Sequence, residues 1–428
     1  MRRCWLLVPL LLALACAAAA APDTFQISPV PPGWQESLPR DPELATQAYL
    51  ARLPAASVAQ SNAYFEGGYW LQLWNFLLGL LIAWVLLHGA RSARLLARAQ
   101  RIGRKAVARD FLYGAAYAAL SWLLSLPLTI YQGFVREHQY GMATQSFGPW
   151  FGEQLVALAV GMLLTGVAVA LLYAVLRRAG EAWWLWGTAV GIALLALLIV
   201  VSPVFIDPLF NTYKPVEDPA IRDSVLAMAH SDGVPADAVY EFDASRQTTR
   251  VSANVSGLFG SAQIRLNDNL LRRATLSEIR AVMGHELGHY VLNHGLKMLS
   301  QFTLLVMAAF LFCKWAMRRL LARHGAAWGL AGVADTASLP LLAAVFSVFM
   351  FAATPLFNTV VRTQELEADR FGLNLAREPH GMAEAHLKLV EYRKANPGPI
   401  EEFVFYDHPS PRSRIYEAMR WRQAMQTP

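Results

Sequence analysis

Charge is scarce in this chain. Asp, Glu, Lys and Arg make up 16% of its 428 residues, while hydrophobic residues make up 55%. A water-soluble globule usually carries about 25% charged residues. The shortfall argues for lipid contact rather than a larger water-facing core. Cysteine is nearly absent: Cys4, Cys16 and Cys313 lie in or beside apolar stretches. That excludes a disulfide framework and a CxxC zinc motif, so any metal must be held by His and carboxylates. Internal repeats are lacking, and so is low-complexity sequence beyond an alanine-rich start. The net charge of +6 invites a nucleic-acid reading. The basic residues, however, cluster beside apolar runs, as membrane topology signals do, so nucleic acid is not expected as a partner.

The start reads MRRCWLLVPLLLALACAAAA: basic residues, a short apolar run, then small residues. Residues 1–21 therefore read as a signal peptide or a first membrane helix. Residues 22–67 are polar and proline-bearing, an external N-terminal segment with helix around 41–60. Apolar runs follow at 68–88, 111–131, 155–176 and 183–205, a four-helix membrane region over 68–206. Two more, at 298–317 and 336–357, fall inside a final domain spanning 207–428. Each approaches the ~20 residues needed to cross a bilayer. In the polar stretch before the fifth run, a strand-like segment at 263–266 precedes a helical pattern over 277–299.

That helix contains HELGH at 285–289. Positions i and i+4 share a helical face, so His285 and His289 can present ring nitrogens to one metal ion. Glu286 projects beside them, placed to act as general base on a metal-activated water, the physical content of an HExxH motif. Zinc is the expected ion. Gly288, costly in a helix, is expected to leave room near the metal. Three protein ligands and one open position make a catalytic zinc site. His294 is out of phase with the pair, so Asn293 and His294 read as polar helix residues. The best third donor lies in NTVVRTQELEADRFG, where Glu365 and Asp369 are four apart. Glu365 can ligate and Asp369 can orient a ligand or reacting group. Spacing alone leaves open a solvated acidic face, since Glu367 stands between them.

The segments LPLTIYQGFVREHQYGMATQSFGPW (126–150), SPVFIDPLFNTYKPVEDPAIRDSV (202–225), ANVSGLFGSAQIRLNDNLL (253–271), SEIRAVMGHELGHYVLNHGLK (277–297), RTQELEADRFG (362–372) and DHPSPRSRI (407–415) follow in that order. Together they resemble the type I CAAX prenyl protease family of integral-membrane zinc metallopeptidases. The resemblance implies an α-helical membrane barrel with a mainly helical metallopeptidase domain carrying a short β segment. It implies Glu365 as third zinc ligand and Asp369 as a catalytic carboxylate, proton donor or orienter of a histidine. It further implies Asn254 beside extended substrate, and His408 and Arg414 near the scissile carbonyl as oxyanion partners. On this reading peptide or protein substrate lies along the strand at 262–266. The sequence departs from the family in TRVSANVSG, where Val255 replaces an aromatic, and in lacking the longer insertion before the HExxH helix of eukaryotic members.

Three short basic segments set the expected orientation. They hold Arg91 to Arg109, Arg177 and Arg178, and Lys314 to Arg323. Positive charge marks the cytoplasmic side, and alternation then places 207–297 and the C-terminus outside, in the periplasm if the host is Gram-negative. The rival readings are a proteolytically silent membrane chaperone or scaffold, which the intact Glu286 argues against, and a transporter, which would carry paired broken helices.

Overall fold

The computed structural model describes residues 25–257 and 262–426. The expected leader at 1–21 lies outside the described residues. Helix α1 (Pro42–Leu50), capped by the Asp41 side chain, leads to α2 (Ala55–Leu87). α2 begins well before the apolar run at 68, so the expected end of the external segment falls inside a helix. The reason is that its first turns are polar but buried: Ser57, Ser61 and Tyr64 face protein, where hydropathy sees no span. Farther on, Trp70, Trp74 and Trp84 stay exposed, as a lipid-facing stripe must.

Gly89 (φ 62°) and Ala90 (φ 55°) turn the chain into α3 (Arg91–Ile102). Then come α4 (Ala106–Ile130), α5 (Phe147–Arg178) and α6 (Trp183–Val201). A small sheet follows, built from β1 (Tyr213–Pro215), β2 (Ala236–Phe242), β3 (Ala253–Ser256) and β4 (Ala262–Asn267), with α7 (Pro219–Ser231) between β1 and β2. The strand order is β1-β2-β4-β3. β4 runs parallel to β2 and antiparallel to β3. The strand expected beside substrate is therefore internal: β4 has a neighbour on each side, and among the described residues the sheet edge nearest it belongs to β3.

Thr275 starts α8 (Leu276–Val291) with a capping box completed by Glu278. The expected continuous helix to 299 breaks instead. Asn293 takes φ 55°, a conformation asparagine tolerates, and α9 (His294–Trp328) starts anew. α10 (Leu339–Ala352) and α11 (Thr354–Ala376) replace the expected span at 336–357. They meet at 57°, with a proline in the first turn of α11. Proline has no N–H to continue the preceding ladder. The bend carries Glu365 out of the apolar run towards α8. Helices α12 (Pro379–Leu389) and α13 (Pro411–Gln426) complete the polar layer. Leu38, Tyr49 and Leu53 of the N-terminal segment share a core with Leu387, Ile415 and Met419.

Among the described residues five helices are long and apolar enough to cross a membrane, or six if α10 and α11 make one span. The basic segments meet at one end of them. Buried Asp110 takes Arg177 at 2.5 Å, Arg109 at 2.9 Å and the Thr336 hydroxyl at 2.8 Å. Glu181 takes Lys314 at 3.1 Å and also Arg318. The sheet, α8, α12 and α13 lie at the other end.

α8 and α11 touch backbone to backbone. A Cβ on Gly372 would stand 2.7 Å from the His285 nitrogen and 2.9 Å from the Gly284 carbonyl carbon. Gly372→Ala is expected to destabilise the fold by about 1–3 kcal/mol, the cost of overpacking. Thermal unfolding in detergent would read this, with Gly161→Ala, where a Cβ meets nothing within 4 Å, as the neutral comparison.

Candidate metal centre

The i, i+4 pair on α8 and the bend before α11 bring three donors to one point. His285 Nε2 lies 3.1 Å from His289 Nε2. Glu365 Oε2 is 3.3 Å from His285 Nε2, and Oε1 is 3.3 Å from His289 Nε2. Tetrahedral zinc with bonds of about 2.0–2.1 Å sets its ligand atoms roughly 3.3–3.4 Å apart. The observed triangle matches that edge length. Glu365 Oε2 is buried and has no hydrogen-bond partner, a demand that a cation meets. The donor set therefore fits a zinc ion.

The outer contacts prepare both rings. His285 Nδ1 sits 2.9 Å from Asp369 Oδ1, so Nδ1 carries the proton and Nε2 faces the centre. His289 Nδ1 sits 2.9 Å from Nδ1 of His294, whose Nε2 is 3.2 Å from Glu367 Oε2. Glu367 accepts from His294 Nε2–H, which leaves His294 Nδ1 to accept from His289. Both ligand rings then turn a lone pair inward. Burial opposes a charge on His285, but the Asp369 and Glu365 carboxylates outweigh it and lift its pKa to about 9. The pocket favours positive charge, which a proton or a metal can supply.

Two expectations change here. His294 is fully buried and contacts His289, because the break at Asn293 reorients it; helical phase alone had ruled it out. Gly288 faces α11 and not the metal, since a Cβ there would meet the Ala368 carbonyl oxygen at 3.2 Å.

Glu286 lines a cavity of about 270 Å³ with His285, His408 and Arg414. No hydrogen bond or ion pair engages its carboxylate among the described residues. Burial raises its pKa, which makes it a better proton acceptor than an exposed carboxylate. His408 Nε2 is 3.3 Å from Glu365 Oε2, and its Nδ1 is 2.8 Å from Asp407. Arg414 lines the cavity and is at the same time engaged behind His285. Its Nε donates to Asp369 Oδ2 at 2.7 Å and its Nη2 to Oδ1, so its guanidinium braces the carboxylate behind His285. Asp369 likewise faces His285 and Arg414 rather than the cavity's open part. Asn254 is exposed on β3 opposite Arg265; Ser252 and Ala253 line the cavity and Asn254 does not.

One residue went unnoticed in the sequence. Arg393 lines both this cavity and a neighbouring one of about 450 Å³, bordered also by Tyr64, Arg136 and Arg250. Its guanidinium makes no hydrogen bond or ion pair among the described residues. No motif marks it, because it is brought near His408 only by the packing of the polar layer.

A bundle of membrane-capable helices topped by an HExxH helix, with a carboxylate from a second helix as third donor, defines a membrane metallopeptidase. Comparison with known proteins agrees. Peptidase family M48 matches residues 215–422, and the CAAX prenyl protease N-terminal region, five membrane helices, matches 42–212. An uncharacterised metalloprotease, YhfN, of Bacillus subtilis is 31% identical over 71% of this chain and 72% of its own. CAAX prenyl protease 1 of Saccharomyces cerevisiae is 25% identical over 72% of each chain. The crystal structure of S. mikatae Ste24p shares the fold, with a TM-score of 0.71 over 91% of both chains at 20% identity. The chain belongs to peptidase family M48, as the family resemblance in its motifs implied.

Removing one partner of a buried ion pair costs about 3–5 kcal/mol. Arg414→Met is expected to destabilise the metal-free protein by that amount, and adding Asp369→Asn should recover part of it. Unfolding of the single and double variants in detergent measures the difference.

Proposed function

We propose that this protein is a zinc endopeptidase that cleaves peptide bonds of membrane or exported proteins. The observation that carries the reading is the donor triangle of His285, His289 and Glu365 with the uncommitted Glu286 beside it. When bound, zinc supplies Lewis acidity, which polarises the scissile carbonyl and makes water acidic near neutral pH. Glu286 takes the water's proton and delivers it to the leaving amine. Asp369 and Arg414 hold His285, and His294 and Glu367 hold His289, each with Nε2 inward. His408, steadied by Asp407, takes the oxyanion role, since Arg414 is committed to Asp369. Substrate extends along the β3 edge, which offers unpaired main-chain groups, with Asn254 on that strand.

Several relatives are named CAAX prenyl protease 1. The chain's own features favour general peptide cleavage over prenylated substrates, because the apolar leader and the basic segments both point the site away from the cytosol. We place the metallopeptidase domain, 207–428 with its two membrane segments, on the exterior or periplasmic face of the inner membrane, and the segments 22–67 and 68–206 as its external arm and membrane region. The basic end of the bundle is then cytoplasmic.

Glu286→Gln is expected to retain zinc while losing roughly a thousandfold in turnover, and His285→Ala to lose the metal. Metal content and peptide cleavage, measured on the same preparations, test this. A Glu286→Gln enzyme that stays active would remove Glu286 from its role. For orientation, alkaline phosphatase or a cytoplasm-only fluorescent protein fused after Pro428 is expected to give phosphatase activity without fluorescence. The opposite pattern would restore a cytosol-facing site.

A further inference from the structure

At the end of the bundle opposite the candidate metal centre, helix α3 carries a row of cations of which only Arg91 is engaged, donating to the Val85 carbonyl at 2.8 Å. By helical spacing Arg91, Arg94, Arg98 and Arg101 share one stripe, while Ser92 and Ala99 are buried on the other side. Arg104 and Lys105 continue the series in the link to α4. Four nearby basic residues are paired: Arg109 and Arg177 with Asp110, Lys314 and Arg318 with Glu181. Arg94, Arg98, Arg101, Arg104 and Lys105 are exposed, and no hydrogen bond or ion pair engages their side chains among the described residues. α3 contains no acidic residue.

Beside this row lies an open groove of about 600 Å³ between α4 and α5. Ile102, Val107, Phe111, Val167 and Leu171 line it, with Lys105 as its charged member. Ile102 is 77% exposed and Val107 62%. Both walls belong to helices long and apolar enough to cross a membrane, so the groove faces acyl chains. Its polar end meets the unpaired cations.

We infer that this groove and the cations beside it form a site for an anionic phospholipid. The acyl chain lies between α4 and α5, and the phosphate is held by Lys105, Arg104 and Arg101. Charge complementarity selects the occupant. A zwitterionic lipid fills the apolar part equally well but brings its own cation to the row. Basic clusters on amphipathic helices at the membrane surface favour anionic lipids in this way. The site is independent of the peptidase chemistry and rests only on the membrane setting of α4 and α5.

The test is native mass spectrometry of the full-length protein in detergent, with equal amounts of phosphatidylglycerol and phosphatidylcholine of matched acyl chains. The wild type is expected to retain phosphatidylglycerol in preference by roughly tenfold. The variant R101Q/R104Q/K105Q should bring the ratio near one, and the charge-keeping variant R101K/R104K should preserve the preference. A thermal melt of each variant checks that these exposed substitutions leave the fold intact. Equal retention of both lipids by the wild type, or a preference that survives the triple substitution, would overturn the proposal.

Discussion

Two helices meet without side chains between them, and the metal centre depends on that contact. α8 brings His285 and His289, and α11 brings Glu365. The donors converge only because Gly284 and Gly372 let the backbones close: even a methyl group on Gly372 would sit 2.7 Å from the His285 nitrogen. Gly288 extends the same seam against Ala368. A glycine in a helix costs about 1 kcal/mol against alanine, and here that cost is offset by the approach it permits.

Closeness alone would leave a cluster of buried charge. The outer contacts resolve it by giving each ligand ring its own hydrogen-bond acceptor. Asp369 takes the His285 proton and is itself held by Arg414. His294 takes the His289 proton and passes the demand to Glu367, which Lys297 meets at 3.0 Å. The two arms differ in depth. The Asp369–Arg414 pair is buried, and Glu367 and Lys297 are half exposed. The His285 arm is therefore the rigid one, since screening by water weakens an exposed pair.

The membrane helices present the site rather than build it. Among the described residues five helices are long and apolar enough to cross a membrane, and the candidate site gathers at one end of them. The bend between α10 and α11 makes the transition, because it turns an apolar run into a polar helix within a residue or two. The opposite end is tied by Asp110 and Glu181, each holding two basic side chains. This division keeps ionised groups away from the bilayer centre, where they are costly.

Much of this was legible beforehand. The apolar runs are local in sequence, so six spans were expected from composition and length; among the described residues five helices are long and apolar enough to cross, and the sixth run is bent between α10 and α11. HELGH is also local: one helix sets His285 and His289 one turn apart, with Glu286 beside them. Glu365 was less certain, because its partner helix is distant in sequence and spacing alone could not distinguish a ligand from a solvated acidic face. His294 stays outside the donor set as its phase implied, but its contact with His289 was not foreseen, since helical phase cannot foresee a left-handed residue at Asn293. The pairing of Arg414 with Asp369 and the place of β4 inside the sheet were not legible in the sequence. Strand order and ion pairing are set by which surfaces pack. The sequence by itself therefore determined the membrane class, the HExxH motif and the family, each carried by residues a few positions apart. Only the tertiary structure decided the bracing of the histidines, the free strand edge and the neighbours of each charge, because these join segments separated by tens to hundreds of residues.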